Sequence, residues 1–210
     1  MHWRHDLVWL TAEGWLAAAL PADARHWPER GWPAVVRRQD ENAGADTICL
    51  GIALPPSPQD GAKRRVGLRA PLRHVLRVAR PMALRDAVAA SPPAWSAGLD
   101  ALVTASAGLT LRVYGSLAQQ ALTGAPCVSA TSDIDLLFYP STQKQLDAGL
   151  ALLQTHGQQL PLDGEIMFPN GAAVAWREWV LATSSQAHVL VKELTVARLA
   201  PINSLLASLA

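Results

Sequence analysis

The segment "RVYGSLAQQALTGAPCVSATSDIDLLFYP", residues 112–140, carries the pattern that decides the fold. It places an apolar strand before Gly115-Ser116, a short helix after them, and then a second apolar strand that holds Asp133 and Asp135. A glycine at a strand end lets the backbone approach a ligand closely, and the helix N-terminus that follows offers free N–H groups and a positive dipole. The order of these elements therefore predicts a phosphate-binding turn beside two carboxylates.

The two acids are separated by a single apolar residue, Ile134. Side chains alternate along a strand, so Asp133 and Asp135 are expected to project from the same side. Carboxylates this close repel each other unless a cation lies between them, and Mg²⁺ is commonly held by one or two carboxylates plus substrate phosphates. We therefore predict a Mg²⁺ site for phosphoryl transfer, which works by positioning and charge neutralisation. The alternative is a solvated acidic face on a strand edge.

The composition describes a globular protein with a sizeable core. Half of the 210 residues are hydrophobic, only 17% are charged, and the net charge of +1 favours neither nucleic acid nor a membrane as a partner. Two cysteines without metal-ligand spacing argue against a disulfide framework. The opening "MHWRHDLVWL" has charges where a signal peptide needs an apolar run. We expect a soluble, cytoplasmic protein.

Proline-rich breaks divide the chain. "SPPAW", residues 91–95, is the predicted boundary between a small mixed domain (1–90) and a larger domain (91–210), and "LPPSPQDG", residues 54–61, interrupts the first. The larger domain mixes helices and strands, which predicts an α+β or α/β class with a mixed sheet flanked by helices. Its predicted strands are "LTLRVYG", "SDIDLLFYP" and a final "AHVLVKEL", and its predicted helices are "AWSAGLDALVTAS", "SLAQQALTG" capped by Ser116, "STQKQLDAGLALLQTHG" and "PINSLLASLA".

The Gly-Ser helix followed by Asp-x-Asp resembles the nucleotidyltransferase fold superfamily. That resemblance implies a third carboxylate on a nearby strand, for which "LDGEIMF" offers Asp163 and Glu165. The two acids lie two positions apart and therefore on one face of a strand. Glu165 is flanked by the apolar run that follows it, whereas Asp163 next to Gly164 fits a turn, but the pattern does not separate the two.

Longer stretches resemble a narrower family. "RHDLVWL", "LRVYGSLAQQALTG", "SDIDLL", "LDGEIMFPNGAAVAWREW" and "VLVK" are similar to malonate decarboxylase holo-[acyl-carrier-protein] synthase, a phosphoribosyl-dephospho-CoA transferase. The resemblance implies that the donor is 2′-(5-triphosphoribosyl)-3′-dephospho-CoA and that a serine of the apo acyl-carrier subunit is the acceptor. Diphosphate is the expected leaving group. Asp133 and Asp135 would hold Mg²⁺, and Gly115 and Ser116 would cradle the departing phosphates.

A basic segment, residues 63–80, contains seven of the eighteen Lys and Arg residues and no acid. Arg69, Arg73, Arg77 and Arg80 recur at steps of four, four and three, which predicts one basic side of a helix beginning near Pro71. Such a surface can attract the donor's polyphosphate or an acidic carrier surface, and the alternative is a solvated face without a ligand. Lys192 in "VLVK" can likewise pair with a phosphate or be an ordinary surface lysine.

Other functions fit parts of the pattern. A nucleotidyltransferase acting on a related carrier, a protein, a small molecule or an RNA end is the first alternative, although a near-neutral chain argues against RNA. The second is a non-catalytic module that binds a carrier. A glycosyltransferase using Asp-x-Asp with a nucleotide sugar lacks support from the preceding Gly-Ser helix.

Overall fold

The fold is taken from a computed structural model in which residues 2–57, 61–182 and 187–210 are described. The chain forms two compact units, and the main division falls between Pro81 and Met82. This division lies nearer the N-terminus than the boundary predicted at residues 90 and 91. The first unit consists of Met1–Pro81, Ala125–Cys127 and Leu194–Val196, and the second of Met82–Gly124, Val128–Glu193 and Ala197–Ala210.

The first unit is built on a five-stranded antiparallel sheet. Its strands, in spatial order, are β4 (Arg65–Pro71), β3 (Thr47–Ala53), β2 (Ala34–Val36), β1 (Leu7–Leu10) and β5 (Val75–Ala79). Two short helices, α1 (Ala12–Ala17) and α2 (His26–Glu29), place Trp15 and Trp27 in the same core as Ile48. Part of the proline-rich segment, residues 58–60, lies outside the described residues.

The helix predicted within the basic segment is wrong. Residues 65–71 and 75–79 are the edge strands β4 and β5, with a single 3₁₀ turn, Leu72–His74, between them. Pro71 has φ −63° and ψ 136°, an extended conformation that its ring allows as readily as a helical start. Pairing with β3 and β1 satisfies one side of the backbone of this segment, so non-local hydrogen bonds override the helical spacing of the arginines.

The arginines of this segment therefore have separate environments. Arg69 donates to Asp40, which also accepts from Arg37, and these two cations hold the pKa of Asp40 well below its usual range. Arg77 stacks on Trp9 with its guanidinium carbon 4.4 Å from the ring centroid. Arg80 pairs with the buried Asp6 at 3.3 Å. The four arginines do not form one basic helical side.

The second unit is built on a six-stranded mixed sheet flanked by helices, which confirms the α+β class. Its strands, in spatial order, are β11 (Ala197–Pro201), β10 (His188–Lys192), β9 (Ala173–Ala175), β8 (Leu162–Met167), β7 (Ile134–Phe138) and β6 (Leu111–Val113). Its helices are α3 (Leu84–Ala87), α4 (Pro93–Ala105), α5 (Gly115–Thr123), α6 (Gln143–His156), α7 (Trp176–Leu181) and α8 (Ile202–Leu206). β7 and β8 run parallel, and the other neighbouring strands are antiparallel. Among the described helices, none combines the length and apolar character that a membrane span requires.

The two faces of this sheet differ in what they carry. On one face Ile134, Leu136 and Phe138 pack against the helices in a single large core. On the other face Leu137, Met167 and Ala173 form a separate small cluster. We call this second side the Leu137 face. Because side chains alternate along strands, the charged residues between the core positions of β7, β8 and β10 lie on the Leu137 face.

Local predictions in the second unit were right in outline but need correction at Ser116 and at the last strand. Helix α5 ends at Gly124, as predicted, and Gly124 has the left-handed conformation. At the other end, the cap position is Tyr114, and Ser116 is the second residue of the helix rather than its cap. Gly115, with φ +67°, makes the turn and so starts the helix one residue early. The strand "AHVLVKEL" is β10 but is not the last, because β11 follows it.

Gly164 lies inside strand β8, so Asp163 is a strand residue and not the turn residue that its neighbour suggested. The φ of Gly164 is +132°, and a Cβ added there would lie 2.6 Å from the nitrogen of Leu136 on β7. Backbone strain and collision with a neighbouring strand each cost about 1–3 kcal/mol. Only glycine therefore lets β8 approach β7 at this point.

We expect Gly164→Ala to lower the free energy of unfolding of the second unit by about 2–5 kcal/mol. The matched control is Gly108→Ala, since Gly108 has φ +83° but nothing within 4 Å of the added Cβ, so it tests strain without collision. Urea unfolding followed by circular dichroism measures both variants. Equal losses for the two variants would contradict the proposed close approach of the strands.

Candidate active site

The site begins at the connection between β6 and α5. The N–H of Tyr114 donates to the carbonyl oxygen of Asp135 at 3.0 Å, which ties the end of β6 to β7. A Cβ added at Gly115 would collide with the carboxylate of Asp135, lying 2.8 Å from its Cγ. Glycine therefore allows the first turn of α5 to pack directly against the Asp135 carboxylate. The structure thus places Gly115 beside Asp135, while the roles assigned to both residues stay predictions.

The two acids of the Asp-x-Asp motif occupy different local settings. Asp135 is the second residue of β7 and is half-buried on the Leu137 face. Asp133 is exposed and lies just before the strand, which begins at Ile134. The N–H of Ile134 donates to the carbonyl oxygen of Pro161 at 2.8 Å, so the chain is already held beside β8 at this point. The motif thus stands where β7 enters the sheet.

Both candidates for the third carboxylate lie on β8, next to β7. The parallel register pairs Asp135 with Asp163 and Leu137 with Glu165. Residues paired in register project from the same face, so both acids share the Leu137 face with Asp135. Asp163 is exposed, whereas Glu165 is only 4% exposed.

Glu165 has a cationic partner. The Nζ of Lys192 lies 2.9 Å from Oε1 of Glu165 and donates to it across the sheet from β10. A buried carboxylate needs such a partner, because a charge that leaves water is stable only when it is paired and hydrogen-bonded. The lysine side chain remains 37% exposed, so its ammonium sits at the boundary between protein and solvent. The structure therefore brings Lys192, predicted from "VLVK", to the same face as the acids.

Arg112 also lies on this face, and the sequence patterns did not single it out. It is directly opposite Leu137 in the antiparallel pairing of β6 with β7, and its neighbours Leu111 and Val113 are buried in the core. The sequence did contain a signal for this position of Arg112: in "LRV", one arginine lies between two apolar residues shortly before the Gly-Ser turn.

The donor set suits a hard cation held mainly by substrate oxygens. Within residues 2–57, 61–182 and 187–210, no group of three or more His, Cys, Asp or Glu side chains is arranged to hold a metal ion. Mg²⁺ is commonly held by one or two carboxylates plus substrate phosphates, and the assignment of Asp133 and Asp135 as its ligands stays a prediction. Glu165 fits less well, because one of its oxygens already accepts from Lys192.

The remaining residues predicted to bind a substrate, Arg73 and Arg77, belong to the first unit. Arg73 lies in the 3₁₀ turn before β5, and Arg77 lies in β5 against Trp9. Their proposed contact with a donor or carrier stays a prediction. Trp176 and Trp179 of the second unit are buried in its core.

Comparison with known protein families matches both units. The model of the N-terminal domain of the phosphoribosyl-dephospho-CoA transferase MdcG matches residues 3–81, and the model of its C-terminal domain matches residues 83–202. The chain belongs to the phosphoribosyl-dephospho-CoA transferase family. The C-terminal match contains the Gly-Ser turn, the Asp-x-Asp motif and the Glu165–Lys192 pair.

Relatives that carry the family name cover nearly the whole chain. A phosphoribosyl-dephospho-CoA transferase of Xanthomonas campestris pv. campestris is 39% identical over 209 residues, covering 96% of this chain and 95% of the relative. The corresponding protein of Bradyrhizobium diazoefficiens is 40% identical over 83% of this chain and 80% of the relative. That of Pseudomonas aeruginosa is 33% identical over 90% of this chain and 91% of the relative. No solved structure matches the chain significantly. The resemblance found in the sequence motifs is thus confirmed at the level of the transferase family.

Proposed function

We propose that this chain transfers the phosphoribosyl-dephospho-CoA group from 2′-(5-triphosphoribosyl)-3′-dephospho-CoA to a serine of the apo acyl-carrier subunit of malonate decarboxylase. Diphosphate is the second product. The observation that carries the proposal is the contact of Gly115, at the start of α5, with the Asp135 carboxylate, in a chain of this family. That contact puts a helix N-terminus and a carboxylate side by side, as the transfer of a phosphoryl group needs.

The bonds in the proposed step balance without any further reactant. The serine Oγ of the carrier attacks the phosphorus nearest the ribose, the new Oγ–P bond forms, and the bond between that phosphorus and the diphosphate breaks. The serine proton passes to a carboxylate of the site, either Asp133, Asp135 or the third acid. Gly115 and Ser116, at the start of α5, would bind the departing diphosphate through backbone N–H groups.

Asp133 and Asp135 would hold Mg²⁺ in this proposal. The ion would neutralise the negative charge that builds up on the phosphate oxygens and on the leaving diphosphate. Asp163 is the better candidate for the third carboxylate, since it is in register with Asp135 and exposed. Glu165 instead holds the Lys192 ammonium, which would then pair with a phosphate oxygen.

The Glu165–Lys192 pair gives a test that separates stability from activity. We expect Lys192→Met to lower the free energy of unfolding by about 2–3 kcal/mol, because the buried carboxylate loses its ammonium partner. The double variant Lys192→Met/Glu165→Leu is expected to regain most of that stability, since both charges are then removed. Transfer should stay low in both variants, because the cation for the phosphate is missing. A stable double variant with wild-type kcat and KM would contradict this role.

A second prediction concerns the two arginines of the first unit. We expect Arg73→Glu/Arg77→Glu to raise the KM for the carrier about tenfold or more, because like charges then face an acidic carrier surface. The matched control is Arg25→Glu/Arg30→Glu, which reverses two exposed arginines of the same unit, one of which also stacks on a tryptophan. Steady-state kinetics in which the carrier and the donor are varied in turn distinguishes a binding surface from a solvated face. Unchanged KM values for carrier and donor would show that these arginines form only a solvated face.

The proposed reaction is tested by diphosphate release. A coupled assay would follow diphosphate during incubation of the chain with the donor and Mg²⁺, with and without the apo carrier. We expect release that requires both the carrier and the ion. Release with the carrier's modifiable serine replaced by alanine would exclude the proposed acceptor, and absence of release with a carrier known to be competent would contradict the proposed reaction.

A further inference from the structure

The sheet register places Arg112 at one side of the proposed site, on the edge strand β6. Residues directly opposite each other in neighbouring strands form a row, and Arg112, Leu137 and Glu165 are successive members of one row on β6, β7 and β8. Its side chain is half-exposed, while Leu111 and Val113 on either side are buried in the core. The guanidinium group therefore belongs to the Leu137 face and reaches solvent there.

The spacing of strands puts Arg112 near Asp135, one of the two acids proposed to hold Mg²⁺. With neighbouring strands about 4.8 Å apart and a rise of about 3.3 Å per residue, the Cα atoms of Arg112 and Asp135 are about 8 Å apart. Lys192 lies on the far side of the acids, on β10. The carboxylates of the Leu137 face are thus flanked by a cation on each side.

The chemistry of the guanidinium suits a phosphate chain. It is charged at all relevant pH values and has five N–H donors in a planar fork that matches pairs of phosphate oxygens. A fork with five donors can serve a protein acceptor and a phosphate at the same time. The charge of Lys192 is partly balanced by the buried Glu165, so a donor with several phosphate charges needs a further cation on this face.

We propose that Arg112 is a substrate-binding residue that grips the polyphosphate chain of the donor and remains bound to the diphosphate after transfer. This inference rests on the proposed function for the identity of the donor, but it requires only that an oligophosphate binds on the Leu137 face. Arg112 and Lys192 would hold the chain from opposite sides, and Gly115 would contribute the start of α5 beside Asp135.

Calorimetric titration of the full chain with inorganic pyrophosphate, in the presence of Mg²⁺, tests this directly. We expect Arg112→Gln to weaken binding about 10- to 100-fold, as loss of a hydrogen bond to a charged group does. Arg112→Lys keeps the charge but loses the planar fork of donors, so its affinity for pyrophosphate should fall between those of the wild-type chain and Arg112→Gln. The matched control is Arg198→Gln: Arg198 lies on β11, the other edge of the same sheet, and faces the opposite side because it pairs with the buried Val191.

The outcomes separate this inference from the proposed function. An affinity of Arg112→Gln equal to that of Arg198→Gln, or a wild-type chain that does not bind pyrophosphate, would overturn the role of Arg112. If the wild-type chain binds pyrophosphate in an Arg112-dependent way but never modifies the carrier, the proposed function fails and the anion site stands. Where transfer occurs, Arg112→Gln should raise the KM for the donor and leave the KM for the carrier unchanged. If Arg112→Gln does not fold, as judged by its thermal unfolding, the Arg112→Lys comparison decides the question.

Discussion

Replacement of Asp135 by asparagine is expected to abolish transfer, with a fall in kcat of at least about 10³-fold and an unchanged fold. Asp135 is half-buried beside the start of α5 and stands next to Asp163 in the register of β7 and β8. Asparagine has nearly the same shape but carries no charge, so it removes the negative charge that a divalent cation requires. Asp133→Asn should have the same effect on transfer.

The control for this prediction is Asp147→Asn, since Asp147 is an exposed acid on α6 in the same unit. It should retain wild-type kcat. Diphosphate release over a range of Mg²⁺ concentrations, together with circular dichroism, distinguishes loss of the cation site from loss of the fold. Full activity of both Asp135→Asn and Asp133→Asn would contradict the assignment of these acids to the metal.

Gly115→Ala is expected to lower kcat about 100-fold or more, although it adds only one methyl group. The methyl group would occupy the position of the Asp135 carboxylate, so either the side chain or the start of α5 must move. Displacements of about 1 Å in a catalytic arrangement can cost about 10²-fold in rate. The left-handed φ of +67° adds strain, so we also expect a loss of about 1–3 kcal/mol in the free energy of unfolding.

Gly124→Ala is the matched control, because it lies at the other end of the same helix. Gly124 has φ +70°, almost the same as Gly115, but nothing lies within 4 Å of the Cβ that alanine would add. Strain should therefore lower the stability of both variants, whereas only Gly115→Ala also collides with Asp135 and loses activity. Kinetics of transfer and thermal unfolding of the two variants measure these effects, and equal kcat values would show that the contact with Asp135 has no part in the reaction.

The parts of the fold that local sequence determines were predictable. The strand before Gly115, the helix that ends at Gly124 and the strand through Asp135 follow from apolar periodicity and from two glycines at turns. The start of the long helix α6 at the cap Thr142 was predictable for the same reason, since its side chain accepts from the N–H of Gln145. Each of these signals lies within a few residues of the structure that it specifies.

Features that depend on pairing between distant segments were not predictable. The spacing of Arg73, Arg77 and their neighbours imitated a helix, but the backbone pairs with strands far away in the sequence. Our proposal of Asp163 over Glu165 rests on the register of β8 on β7 and on the lysine partner of Glu165, which lies 27 positions away in the chain. Arg112 looked like an ordinary strand residue until the pairing of β6 with β7 placed it on the face that holds the acids.

The measurement that tests the account most directly is the intact mass of the apo acyl-carrier subunit of malonate decarboxylase after incubation with this chain, Mg²⁺ and 2′-(5-triphosphoribosyl)-3′-dephospho-CoA. We expect a mass gain equal to the donor minus diphosphate with the wild-type chain, and no gain with the folded Asp135→Asn variant. An unmodified carrier with the wild-type chain would contradict the proposed reaction. An equal mass gain with both proteins would contradict the site built around Asp135.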